Sequence, residues 1–139
     1  MKFLRAKLTR VLINYFENDD RRIEHALSVL RTAESMLESY PGCDPDIVVA
    51  SSLLHDIGIK VSEEKHGYNN GVTQEQYGPP VAGELLASIG FPPDKIEIVK
   101  NIIGNHHSPS RFDYPELALL KKADQIVNRE EDLHESKNS

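Results

Sequence analysis

Apolar residues recur at helical spacing along almost the whole chain, and no other feature of the sequence constrains its fold as strongly. Residues three and four positions apart lie on one face of a helix, so each such run predicts an amphipathic helix. The runs cover residues 4–15, 20–39, 45–57, 80–89, 93–107 and 115–128. The Val and Ile content of the third run would also suit a buried strand, but no other segment offers that strand a partner. We therefore expect an all-α fold, a single compact bundle of about six helices.

The run at residues 45–57 is apolar nearly all round, which is typical of a buried central helix. It begins at Asp44-Pro45, where an N-cap oxygen is followed by proline at a position that needs no donor. Residues 58–78 contain glycine, asparagine and proline without a period, and they predict a long loop. The polar residues 129–139 predict a flexible tail that follows a domain at residues 1–128.

The composition excludes several classes of protein. The 139 residues include 16 Lys and Arg against 22 Asp and Glu, a formal net charge of −6, whereas a protein that coats nucleic acid is positively charged. There is no apolar run of membrane-spanning length and no apolar core of a secretory signal, so we expect a cytoplasmic protein. The single cysteine, Cys43, excludes a disulfide framework and a thiolate metal site within the chain.

Polar residues stand at or near predicted buried faces at four positions. Asp124 lies inside the apolar arc of the last helix, and a buried carboxylate requires a partner, a proton or a metal ion. His55 and Asp56 are adjacent at the end of the most buried helix, and His25 borders the apolar stripe of the second helix. Each alone has a simpler explanation, such as a salt bridge or a hydrogen-bonded core histidine. Together they form a nitrogen–oxygen set that suits a divalent cation: Fe, Mn, Co, Ni, Zn or Mg.

This arrangement resembles the HD superfamily of metal-dependent phosphohydrolases, and the resemblance covers roughly residues 20–128. The motifs that carry it are Arg22-Ile23-Glu24-His25, Leu53-Leu54-His55-Asp56-Ile57-Gly58, Asn105-His106-His107 and Leu119-Leu120-Lys121-Lys122-Ala123-Asp124. The resemblance implies a helical bundle in which His25, His55, Asp56 and Asp124 bind the metal. It also implies that a metal-bound water attacks a phosphate ester.

The chain departs from the pattern of many two-metal members, which have a further histidine at the start of the helix before the His-His pair. Residues 76–84 contain no histidine. We therefore expect one metal per site, with His106 and His107 lining the pocket, unless His66 of the predicted loop replaces the missing ligand.

The hypotheses about mechanism follow from these positions. Asp56 orients the attacking water, His106 protonates the leaving oxygen and Lys60 pairs with phosphate. Lys60 is one residue out of register with the corresponding lysine of the cyclic-dinucleotide branch of the superfamily. His107 and Arg22 are expected to contact a small phosphorylated substrate, such as a nucleotide, and the enzyme would be a phosphomonoesterase or a phosphodiesterase.

Two other classes of function stay open. One is a non-catalytic, metal-stabilised domain that senses a phosphorylated ligand. The other is an iron oxygenase on a similar bundle, and the lack of histidine at residues 76–78 argues against it. The apolar face of residues 3–16 would either pack on its own domain or form a homodimer.

Overall fold

The computed structural model describes residues 1–138, with side chains through Glu135, so Ser139 lies outside the described residues. The helices are α1 (Leu4–Phe16), α2 (Asp20–Ser35), α3 (Pro45–Leu54), α4 (Ile59–His66), α5 (Gly71–Ser88), α6 (Pro93–Ile103) and α7 (Pro115–Asn138), with a short 3₁₀ helix at Leu37–Ser39. No strand occurs within residues 1–138. The predicted all-α class is confirmed.

The helix α3 forms the centre of the bundle, as predicted. Every residue from Ile47 to Leu54 is buried, and α3 packs against α1, α2, α6 and α7. Asp44 caps its N-terminus, accepting the backbone N–H of Asp46 at 2.9 Å. The helix ends at Leu54 rather than at residue 57, which places the His-Asp pair in the turn that follows it.

The prediction of a long loop at residues 58–78 is wrong, because α4 and the first turns of α5 occupy most of this segment. Asn70 accepts the N–H of Thr73 at 3.0 Å, and the Thr73 hydroxyl accepts the N–H of Asn70 at 3.0 Å. This reciprocal capping box starts a helix where the sequence indicates a turn. Pro79 and Pro80 lie inside α5, although prolines ordinarily end a helix.

Two further helix ends differ from the prediction. α6 ends at Ile103 rather than at residue 107, so the His-His pair follows it. α7 continues beyond residue 128 to Asn138, and its later turns contact α2 through an ion pair of 3.6 Å between Arg21 and Glu135. The flexibility of residues 129–139 stays a prediction, and Ser139 lies outside the described residues.

The apolar face of α1 packs on its own domain. Its residues Leu4, Leu8, Leu12 and Phe16 are buried, and α1 contacts α2 and α3. A homodimer stays a prediction. Among the helices of residues 1–138, none has both the length and the apolar character needed to cross a membrane.

Candidate metal centre

Three parts of the fold bring the four predicted ligand residues together: α2 with His25, the turn after α3 with His55 and Asp56, and α7 with Asp124. The Nε2 atom of His25 lies 3.1 Å from Oδ1 of Asp124 and 3.3 Å from Nε2 of His55. It also lies 3.4 Å from Oδ2 of Asp56. The Nε2 atom of His55 lies 3.3 Å from each of the same two carboxylate oxygens. Two nitrogens and two oxygens therefore converge on one small space.

The other nitrogen of each ring faces an acceptor. Nδ1 of His55 donates to the carbonyl oxygen of Ser52 at 2.7 Å, and Nδ1 of His25 donates to the carboxylate of Glu131 at 2.6 Å. A neutral imidazole carries hydrogen on one nitrogen only, so both Nε2 atoms present lone pairs to the shared space. Lone pairs that face each other at 3.3 Å need a proton or a cation between them.

The carboxylates determine the charge of this space. Burial opposes a charged His55, but Asp56 and Asp124 outweigh burial and raise the pKa of His55 to about 9. Burial likewise opposes a charged His25, yet its hydrogen bond to Asp124 leaves the pKa of His25 raised. Burial would raise the pKa of Asp56, but the charges of the neighbouring imidazoles lower it to about 2. Without a metal, protons on the imidazoles balance the ionised carboxylates.

These residues fit a divalent cation. Nitrogen and oxygen ligands lie about 2.0–2.2 Å from an ion such as zinc, so neighbouring ligands of one ion are roughly 3.0–3.5 Å apart. The two Nε2 atoms lie 3.3 Å from each other and 3.1–3.4 Å from the carboxylate oxygens of Asp56 and Asp124. His25, His55 and Asp56 form a group that could hold a metal ion, and Asp124 adjoins it through both imidazoles. A mixed nitrogen–oxygen set of this kind suits several metals.

The His-His pair lies beside this cluster. Nδ1 of His106 donates to the carbonyl oxygen of Ile103 at 2.6 Å. Its Nε2 atom is buried without a hydrogen-bond partner among the described residues and lies 3.8 Å from Oδ1 of Asp56. Asp56, His106 and His107 form a second group that could hold an ion. The number of metals per site stays a prediction.

Arg22 lies at the mouth of the site. With His25 and Asp56 it lines a cavity of about 130 Å³. Its guanidinium pairs with Asp19 at 2.8 Å and with Glu63 at 3.4 Å. The predicted contact between Arg22 and substrate is therefore consistent with its position, but the guanidinium also has two acidic partners.

The structure brings neither Lys60 nor His66 to the cluster. Nζ of Lys60 donates to the carbonyl oxygen of Tyr15 at 3.2 Å, on α1. The exposed His66 bonds to the hydroxyl of Tyr77 at 2.8 Å, and it belongs to neither candidate metal group of the described residues.

Two residues that contact the site were missed by the sequence analysis. Glu131, which bonds to His25, falls in the segment predicted as a tail, and the signal for it was its spacing of seven residues from Asp124. Gln74, whose Oε1 lies 2.5 Å from Nε2 of His107, falls in the segment predicted as a loop. Only a correct helix assignment would have placed either side chain.

Comparison with known proteins gives a family. A family model described as the HD domain matches residues 22–129. The 3'-5' exoribonuclease YhaM of Shouchella clausii is 27% identical over 114 residues, which cover 72% of this chain and 33% of that protein. YhaM of a Geobacillus species is 25% identical over 107 residues, with the same coverage. An uncharacterized protein of Clostridium beijerinckii is 28% identical over 116 residues, or 80% of this chain and 69% of that one.

The chain spans about a third of the length of the YhaM relatives, and no solved structure matches it significantly. The family match, in contrast, covers most of the chain and includes all four residues of the converging cluster. The chain belongs to the HD-domain family, the superfamily of metal-dependent phosphohydrolases.

Proposed function

We propose that this protein hydrolyses a phosphate ester of a nucleotide or a related small phosphorylated molecule. The observation that carries the proposal is the buried Nε2 of His106, which has no partner in the described part of the chain and faces Asp56 beside the converging cluster. His25, His55, Asp56 and Asp124 would hold the cation. A divalent cation bound there would lower the pKa of a water and polarise a phosphoryl oxygen.

Asp56 is suited to orient the attacking water because its two oxygens face different partners. Oδ2 lies among the ligand nitrogens, at 3.3 Å from His55, whereas Oδ1 faces His106 at 3.8 Å. Nδ1 of His106 is occupied by a carbonyl oxygen, so a protonated His106 has only Nε2 left to donate. His106 would give this proton to the leaving oxygen.

Two observations support the substrate class. A net charge of −6 disfavours a long nucleic acid and favours a small substrate. The YhaM relatives are named as exoribonucleases, which favours a substrate that contains a nucleotide. Arg22 and His107 would contact the substrate at the mouth of the site. Lys60 is not included, because its ammonium group donates to α1.

The test is a panel of phosphoesters assayed with Mn²⁺, Co²⁺, Ni²⁺, Zn²⁺, Mg²⁺ and anaerobic Fe²⁺: p-nitrophenyl phosphate, bis-p-nitrophenyl phosphate, nucleotides and short RNA. Turnover of the monoester or the diester identifies the enzyme as a phosphomonoesterase or a phosphodiesterase. We expect His106→Ala to retain the metal and to lose roughly 10²–10⁴-fold in rate. His66→Ala, which removes an exposed histidine outside the cluster, should retain both.

The second candidate is a metal-stabilised sensor of a phosphorylated ligand. It is favoured by one observation: α5 contributes the amide of Gln74 to His107, and not a further imidazole. Uniform inactivity of the metal-loaded protein over the whole panel, together with binding of a nucleotide, would replace the hydrolase by the sensor.

A further inference from the structure

The carboxylate of Glu131 contacts the imidazole of His25 on the side away from the cluster. Oε1 and Oε2 lie 2.6 and 3.1 Å from Nδ1 of His25. The two residues are 106 positions apart in the sequence, so only the packing of α2 against α7 brings them together. The ring of His25 is mostly enclosed, with 11% of its side chain exposed.

One face of α7 supplies both groups that bond to His25. Asp124 and Glu131 are seven residues apart, about two turns of an α-helix, so their side chains project in nearly the same direction. Asp124 lies against Nε2 at 3.1 Å and Glu131 against Nδ1 at 2.6 Å. The imidazole is thereby held between two acids on one face of the same helix.

His25 depends on this contact more than His55 does. Nδ1 of His55 is fixed by a backbone carbonyl of its own helix, at Ser52. Among the side chains that the structure describes, through Glu135, the acceptors for Nδ1 of His25 are the two oxygens of Glu131. A histidine that ligates a metal through one nitrogen needs its other nitrogen protonated and oriented by an acceptor.

We propose that Glu131 is a positioning residue: it holds His25 in the Nδ1–H tautomer with Nε2 directed at the metal. This inference rests on the proposed metal centre and adds the later turns of α7 to it. One turn further along α7, Glu135 pairs with Arg21 of α2 at 3.6 Å.

The experiment measures the dissociation constants of Mn²⁺ and Co²⁺ by calorimetry, without any substrate. We expect Glu131→Ala to weaken metal binding by roughly 10- to 100-fold. Glu131→Gln, whose amide oxygen still accepts the Nδ1–H, should recover most of that loss. Glu130→Ala and Glu130→Gln are matched controls, because they make the same charge changes at the neighbouring exposed position, and they should bind metal as the original chain does.

Two further measurements separate positioning from folding and from long-range charge. The Co²⁺ absorption spectrum should change in Glu131→Ala and return in Glu131→Gln, while circular dichroism confirms equal helix content. In a His25→Ala background, adding Glu131→Ala should cause no further loss of affinity, because the ring that it positions is absent.

The outcomes distinguish this inference from the proposed function. Equal metal affinity in Glu131→Ala and the original chain, or an equal loss in Glu130→Ala, overturns the role of Glu131 and leaves the metal centre intact. An original chain that binds no metal overturns both. Glu131-dependent metal binding without hydrolysis of any phosphoester overturns the hydrolase and confirms the positioning role.

Discussion

The His55 imidazole is completely enclosed. Its protonation in the metal-free protein is the clearest effect of the neighbouring carboxylates on a single residue. In the metal-free protein Asp56 and Asp124 outweigh burial and raise the pKa of His55 to about 9. A ligand histidine must give up this proton when a metal binds. Proton and metal therefore compete for the same lone pair.

Stability of the metal-free protein should fall as the pH rises from 7 to 9.5. A histidine with a raised folded-state pKa stabilises the fold fully below its unfolded value, near 6.5, and this contribution is lost as the pH passes through about 9. Saturating metal should reduce the change of stability with pH, because the metal-bound imidazole of His55 has already lost the proton that titrates. Urea unfolding at several pH values, with chelator and with metal, measures both effects.

A second group, the thiol of Cys43, also titrates in this pH range and has to be removed from the experiment. Burial raises the pKa of its thiol, so the thiol would also lower stability at alkaline pH, and the series is best run in Cys43→Ser. Metal-free stability that stays constant between pH 7 and 9.5 in that variant would contradict the charge assigned to His55.

Single residues also show what a sequence can and cannot predict about a site. Asp124 could be found because an acid inside an apolar arc is anomalous, and the structure places its carboxylate beside the imidazoles of His25 and His55. Glu131 was missed because it stands among other charged residues, and its seven-residue spacing from Asp124 gains meaning only once α7 is known to continue and to pack on α2. The role of Lys60 stays a prediction: its ammonium group donates to the carbonyl oxygen of Tyr15, and a motif position near the site does not fix where a long side chain points.

At the scale of helices, the critical contact is the crossing of α5 over the turn that carries the His-Asp pair. A Cβ atom on Gly58 would lie 2.6 Å from the backbone nitrogen of Gly78, and one on Gly78 would lie 2.7 Å from Cγ2 of Ile103. Both distances are too short for non-bonded atoms. Glycine at these two positions lets α5 pack directly against the chain just after Asp56.

Gly78→Ala should therefore destabilise the fold by about 1–3 kcal/mol, because the added methyl group overpacks a buried contact. Gly83→Ala is the matched control on the same helix, where the new Cβ would meet only the flexible chain of Lys100 at 3.2 Å. Alanine is also the better helix former, by up to about 1 kcal/mol, so Gly83→Ala should be neutral or stabilising. Thermal unfolding compares the two, and equal midpoints would contradict the close packing at Gly78.

The helices themselves were predictable to different degrees. Those with a continuous apolar stripe, such as α2 and α6, begin where the sequence predicts and differ only at their C-terminal ends. α4 and the first part of α5 were missed because asparagine and glycine normally indicate turns, and here Asn70 is an N-cap. The same residue types start a helix as an N-cap or interrupt one as a turn, so local sequence does not distinguish the two roles, and tertiary packing decides between them.

For the whole molecule, the site joins parts of the chain that are far apart in sequence. α2, the turn after α3 and α7 each contribute atoms to the four-residue cluster, whereas α5 and α6 pack on each other and on α3 and contribute none. A cation in this cluster would cross-link the first group of helices. Unfolding would have to release it, so the bound metal should stabilise the native state.

Removing the metal should lower the melting temperature by roughly 5–10 °C, since a ligand at about 100 times its dissociation constant contributes about 2.7 kcal/mol. Hydrogen exchange locates the effect. Amides of α2, α7 and the end of α3 should gain protection with metal, and those at the start of α6, which is far in sequence from every residue of the cluster, should gain least. Asp124→Ala should abolish both changes, while Asp132→Ala on the same helix should leave them intact. A uniform gain along the chain would instead mean that the metal acts only through global unfolding, and an unchanged melting temperature would mean that these three elements are not joined by a cation at all.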